Sequence, residues 1–111
     1  MSKGNILNST LVQLGLSPLA IQVYETLIKF PESNVKNIAD QIGVYRLKIY
    51  QALDELVNME LIVRGEVYSR QIKLNPPSKL MTLIRMKETE MNRAAEDLSK
   101  ILPDLQSQYY S

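Results

Sequence analysis

The chain has 111 residues, 45% of them apolar, and carries 13 Lys+Arg against 12 Asp+Glu for a formal charge of +1. That is room for one domain and one appended element, and the near-neutral balance supplies no bulk basicity from which to argue nucleic acid. Cysteine and histidine are both absent, which removes disulfides, thiolate metal sites, cysteine nucleophiles and the usual general base. The remaining carboxylates, lysines, serines and tyrosines do not cluster along the chain, so no enzyme, no cofactor and no metal is expected. No apolar run approaches the roughly 18 residues of a membrane span, and the N-terminus lacks a signal-peptide core. A cytoplasmic protein with no membrane partner is expected.

In chain order, residues 5–14 read as a short helix, with Ile6, Leu7, Leu11 and Leu14 at helical spacing and Gly15 as its stop. Ser17-Pro18 restarts a helix, Ser as N-cap and Pro at the first helical position, where its missing N–H costs nothing. It runs to about Phe30, with Leu19, Val23, Leu27 and Phe30 on one face, and Pro31 ends it. Asn34 caps the next short helix, Val35–Gln41, and Gly43 breaks it. A further helix follows at once from Tyr45 to about Asn58, its apolar line set by Ile49, Leu53 and Leu56.

Leu61 to Val63 is a short β-branched run, Gly65-Glu66 suits a two-residue hairpin loop, and Tyr68 to Leu74 alternates as a returning strand. Asn75-Pro76-Pro77 closes it. Residues 78–102 contain neither Gly nor Pro and are rich in Met, Lys, Glu, Ala and Leu, which predicts a long helix. Pro103 should kink or end it.

Short helix, Gly turn, second helix, then hairpin is the order of a winged helix-turn-helix. The fold class read from the sequence is therefore mainly α with a small β-hairpin: a winged helix-turn-helix over residues 1–76, and a coiled-coil-like C-terminal helix over 77–111. A reader helix needs an apolar inner face and a polar or basic outer face near its N-terminus, where it enters the major groove. Ile49, Leu53 and Leu56 meet the first demand; Arg46, Leu47, Tyr50, Gln51 and Asp54 form the outer face, with Lys48 at its edge and Tyr45 at the tip. Arg pairs bidentately with guanine, Gln with adenine, and Leu47 can touch a thymine methyl. Asn34 and Lys36 open the preceding helix, where backbone N–H groups and a lysine suit phosphate. Arg64 and Arg70 bracket the hairpin loop and complete the candidate DNA-binding set. Glu25, Glu32, Asp40 and Glu55 read as solvated.

Two stretches carry a family resemblance: Leu14-Gly-Leu-Ser-Pro-Leu-Ala-Ile-Gln-Val-Tyr24, and Asn37-Ile-Ala-Asp-Gln-Ile-Gly-Val-Tyr-Arg-Leu-Lys-Ile-Tyr-Gln-Ala-Leu53. They resemble the N-terminal DNA-binding domain of TrmB-type sugar-responsive transcriptional regulators. Gly43, Val44, Arg46, Lys48, Tyr50 and Leu53 stand where that family's helix-turn-helix pattern has the same residues, and Pro76-Pro77 stands at the usual entry to its coiled-coil helix. The resemblance covers roughly residues 10–100. It implies a sequence-specific double-stranded DNA-binding transcriptional regulator. Tyr45 replaces the family's Pro and Leu47 its Ser, so base preference does not transfer. Met59-Glu60-Leu61 replaces the common Lys-Gly-Leu, removing the Gly at a helix end. No sugar-binding domain is expected in this chain, which stops where that domain begins in the family.

The last helix has its own pattern. Leu80, Ile84, Lys87, Met91, Ala94, Leu98, Ile101 and Leu105 alternate by four and three, as a heptad seam does, with Lys87 interrupting it. A helix of about 25 residues spans about 38 Å, too long for so small a domain to cover. A homodimer joined through Ile84, Met91, Ala94, Leu98, Ile101 and Leu105 is therefore expected. The competing reading is a winged helix that binds protein rather than DNA, and the near-neutral charge favours it; fold alone does not choose between them.

Overall fold

The computed structural model describes residues 2–63 and 72–111. Five helices follow in order: α1 (Lys3–Gln13), α2 (Pro18–Lys29), α3 (Val35–Ile42), α4 (Arg46–Asn58) and α5 (Lys79–Tyr110). α1 begins two residues before the position expected, because Ser2 caps it: its Oγ accepts the Asn5 N–H at 3.1 Å. It ends in a left-handed Gly15 at φ 88°, with Gly15 N–H bonded to Val12 and Leu16 N–H to Leu11, which satisfies its last carbonyls.

α2 starts at the predicted Ser17-Pro18 signal, Ser17 Oγ accepting from Ala20 N–H at 3.2 Å. Its buried face is Ala20, Ile21, Val23, Tyr24 and Leu27. The expected line through Leu19 and Phe30 is displaced: Leu19 only flanks the core and Phe30 is exposed. Phe30 leaves the helix at φ −130°, so a helical extrapolation cannot place it.

α3 opens on a reciprocal capping box. Asn34 Oδ1 accepts from Asn37 N–H at 2.9 Å, and Asn37 Oδ1 accepts from Asn34 N–H at 3.2 Å. Gly43 closes the helix at φ 83°, a left-handed conformation that costs an L-residue with a Cβ about 1–2 kcal/mol. α4 then buries Ile49, Ala52, Leu53, Leu56 and Val57, the spacing of one helical face. α2 lies against α4 and α3, α3 against α4, and α1 against α2. One apolar core runs through the bundle, joined by Leu61, Ile62 and Ile72 from the segment after α4.

The hairpin expectation is corrected in part. The described residues hold no β-strand; they hold a single antiparallel bridge, Ile62 to Leu74, flanked by Val63 N–H to Lys73 O at 2.8 Å and Asn75 N–H to Leu61 O at 3.1 Å. The expected loop Gly65-Glu66, with Arg64 and Arg70, lies outside the described residues. The helix end without its glycine is solved differently: Glu60 itself takes the left-handed conformation at φ 59°. Glu60 N–H bonds Val57 O and Leu61 N–H bonds Leu56 O, a complete Schellman closure. Asn75 Nδ2 donates to the Glu60 carbonyl at 2.7 Å, and Lys79 pairs with the Glu60 carboxylate at 2.7 Å.

α5 runs for 32 residues and is not ended by Pro103. Pro103 removes one amide bond to the preceding turn and crowds that turn's carbonyl, but residues 104–110 contain no further breaker and the helix continues past it. Leu80 and Leu83 touch the core, and no residue of α5 is buried. At about 48 Å the helix accounts for most of the molecule's 60 Å long axis.

Candidate nucleic-acid interface

The site is built by the turn between α3 and α4. Left-handed Gly43 reverses the chain in a single residue, and both Gly43 N–H and Val44 N–H return to Ala39 O, at 2.8 and 3.2 Å. α4 starts after Tyr45, which supplies no side-chain cap. Its first amide groups therefore remain without side-chain acceptors, the arrangement that favours an anion at a helix N-terminus.

Burial of Ile49, Leu53 and Leu56 pins the inner face and turns the other side of α4 outward. Arg46, Leu47, Lys48, Tyr50, Gln51, Asp54 and Asn58 are all exposed. At the tip, Tyr45 is 83% and Leu47 68% exposed. At about 100° per residue, the axis of this outer face runs through Leu47, Gln51, Asp54 and Asn58, with Arg46 and Lys48 on opposite edges of the first turn. Among the described residues neither cation is held in an ion pair. The positive charge is thus concentrated at the tip, and Asp54 turns the face acidic further along.

Lys36 is exposed in the first turn of α3. Asn34 is half-buried and its side-chain oxygen is occupied by the Asn37 amide, so what it can offer a ligand is reduced to its amide group. Arg64 and Arg70 fall outside the described residues. Of the residues expected at a dimer contact, Met91, Leu98, Ile101 and Leu105 are exposed apolar side chains, Ala94 is exposed and Ile84 is half-buried.

One residue read as solvated is not. Glu55, on α4, accepts from Ser17 N–H at 2.6 Å and from Ser17 Oγ–H at 2.7 Å. A carboxylate from α4 thereby closes the N-terminus of α2, where negative charge is favoured. The partners are 38 residues apart; within the sequence, the only trace is that Glu55 adjoins the Leu56 of the buried face.

Among the described residues no group of carboxylates is arranged to hold a metal ion. No helix of the described residues is long and apolar enough to cross a membrane.

Residues 11–78 match the family model described as sugar-specific transcriptional regulator TrmB. The chain belongs to the TrmB family. The helix-turn-helix of this TrmB-family chain is also found in solved structures. TrmBL2, an archaeal chromatin protein, superposes with a TM-score of 0.63 at 16% identity, over 99% of this chain and 46% of its own. The transcriptional regulator Tm0710 from Thermotoga maritima gives 0.56 at 14% identity, over 96% of this chain and 83% of its own. The transcriptional repressor CouR, solved on a 23-mer DNA duplex, gives 0.52 at 24% identity, over 95% and 77%. At such identities the likeness is one of fold, and the chain spans less than half of TrmBL2. No curated protein matches the chain.

Proposed function

We propose that the chain is a sequence-specific double-stranded DNA-binding transcriptional regulator that acts as a homodimer. In this reading residues 1–76 form the DNA-binding unit, with the helix over 45–58 in the major groove, and residues 77–111 form the dimerisation helix. The observation that carries it is the tip of α4. Two cations outside any ion pair among the described residues, Gln51 and uncapped amides are presented together by a helix whose other face is locked into the core, in a chain of a transcriptional-regulator family. Arg46 and Gln51 read bases; Lys36 and Lys48, with Arg64 and Arg70, hold phosphates; Asn34, Tyr45, Leu47 and Tyr50 line the contact. Dimerisation follows from the apolar stripe of α5, which faces water in a single copy. A cytoplasmic location accords with that role.

A two-fold dimer presents two reader helices, so the site is a pseudo-palindrome with half-sites about one or two helical turns apart. The test is selection of genomic fragments with the purified protein, followed by salt-dependent anisotropy on the selected site. Arg46→Ala should cost on the order of 1–3 kcal/mol on that site and much less on random DNA. Lys48→Ala should weaken both, and in each protomer it should flatten the salt slope by roughly one unit, the share of one neutralised phosphate.

The second reading, a protein-interaction module, is favoured by the exposed Tyr45 and Leu47 on a nearly neutral chain. It becomes the better one if Arg46→Ala binds the selected site as well as the wild type does, or if binding to mixed duplex DNA does not fall as salt rises.

A further inference from the structure

The stripe on α5 also carries a direction. At about 100° per residue, Ile84, Met91 and Leu98 of the stripe share an arc of about 60° with Ala95, Leu102 and Tyr109, while Ala94, Ile101 and Leu105 lie along one edge of it. The spacings of the six within the arc are seven, four, three, four and seven, the same from either end, about a centre between Glu96 and Asp97. The two ends of the stripe differ. Near its start, α5 and α1 enclose a groove of about 530 Å³ whose apolar lining is Ile6, Leu7, Pro77, Leu80, Met81 and Ile84, with Lys3 and Thr10 at its edge. Near its finish stand Tyr109 and Tyr110, each 81% exposed, with ring centroids 4.9 Å apart in an edge-to-face pair.

We propose that a second copy lays its α5 antiparallel along this stripe, so that the partner's Tyr109 and Tyr110 fill the groove between α1 and α5. The proposal rests on the homodimer reading above and adds the orientation and the occupant of the groove. Ile84 and Tyr109 are 25 residues apart, about 38 Å along a helix. Reversal about the centre therefore sets Ile84 beside the partner's Tyr109, Met91 beside the partner's Leu102, and Ala95 beside the partner's Leu98. A tyrosine suits this groove: its ring wants the apolar lining and its hydroxyl a polar rim, which Lys3 and Thr10 supply.

A parallel pair gives up both features. It leaves the groove and the tyrosines in water at opposite ends of the dimer. In return it brings Lys87 beside the partner's Glu88, and an exposed ion pair is weak next to the burial of aromatic rings. The antiparallel arrangement also sets the two Lys79 positions, where the DNA-binding units attach, about 53 Å apart.

The chain has no Cys and no Trp, so introduced probes are unique. Under oxidation, the Met91→Cys/Leu102→Cys double variant should form a disulfide-linked dimer, while Met91→Cys alone should not. Tyr109→Trp should emit to the blue of free tryptophan. Adding Ile6→Asp, at an exposed position of α1, should move that emission to the red although Ile6 lies far from the indole of the same copy. A chain that light scattering shows to be dimeric, but in which Met91→Cys alone cross-links or Ile6→Asp leaves the emission unchanged, overturns the orientation and leaves the homodimer standing. A monomer at tens of micromolar overturns both.

Discussion

Replacing Glu55 by Ala removes the acceptor of two short hydrogen bonds, at 2.6 and 2.7 Å, that join α4 to the first turn of α2. Hydrogen bonds to a charged group contribute roughly 1.5–3 kcal/mol each, and a carboxylate at a helix N-terminus adds about 0.3–1 kcal/mol. Glu55 is half-buried, so water takes over part of what the carboxylate gave Ser17. Ser17 Oγ also keeps its bond from Ala20 N–H. Discounting for both, the loss should be about 2 kcal/mol. At roughly 4–8 °C per kcal/mol for a small domain, the melting midpoint by circular dichroism should fall by roughly 10 °C. Glu55→Gln keeps one acceptor oxygen and should lose about half as much. Ser17→Ala removes one of the two donors and should show clear coupling to Glu55→Ala in a double-mutant cycle. A midpoint for Glu55→Ala within about 2 °C of the wild type, less than about half a kcal/mol on that scale, would refute the bridge.

Tyr24 is fully buried and, among the described residues, its hydroxyl has no partner. Tyr24→Phe should therefore gain about 1 kcal/mol in urea denaturation. Burial also pushes the Tyr24 hydroxyl above its ordinary value of 10.0. The unfolded chain then loses this proton first, stability falls as pH rises past about 10, and Tyr24→Phe should lose less over that window. Glu60→Gly relieves a left-handed residue and gives up only an exposed ion pair with Lys79, which water screens; a net gain in stability should appear in the same assay. Gly43→Ala should cost about 1 kcal/mol from backbone strain alone, since no atom lies within 4 Å of the added methyl. The Leu98→Asp/Ile101→Asp double variant should be monomeric by light scattering with its N-terminal fold intact, because neither side chain reaches the core.

The local signals read well because they act within a few residues. Ser17 and Asn34 settle helix starts through their side-chain oxygens and Gly43 a helix end through its backbone, and each lies where the sequence pattern puts it. The buried line of α4 is equally legible, since Ile49, Leu53 and Leu56 repeat at the helical period. What the pattern hides is non-local. The Glu55–Ser17 bridge exists only once α4 crosses the start of α2, and no pattern in either segment announces it. The expected face of α2 fails at Phe30, where the helix has already ended. At Glu60 the missing glycine is visible in the sequence, but its consequence, a strained residue held by Asn75 and Lys79, depends on a segment 15 and more residues away. In the candidate interface, the exposure of Arg46, Lys48 and Gln51 is readable from the period, whereas the pairing of Asn34 with Asn37, which takes up the Asn34 side-chain oxygen and backbone N–H, is not.

The chain's small charge bears on how the two halves of the molecule depend on each other. A net charge of +1 gives little long-range attraction to a polyanion, so affinity has to come from a few placed cations. The described part of one copy offers Arg46 and Lys48 at the tip of α4 and Lys36 in the first turn of α3, and Asp54 opposes the first two further along α4. Since the salt-dependent part of affinity grows with the number of phosphates neutralised, a single copy of so small a net charge is expected to bind weakly. Two copies held at a fixed separation convert the second contact into an intramolecular one and multiply the affinities. In the proposed regulator the long helix therefore counts toward DNA binding as much as the reader helix does. A variant monomeric through α5 should lose most of its affinity while every residue at the tip of α4 remains in place, and the loss should shrink as salt is lowered and each single contact strengthens.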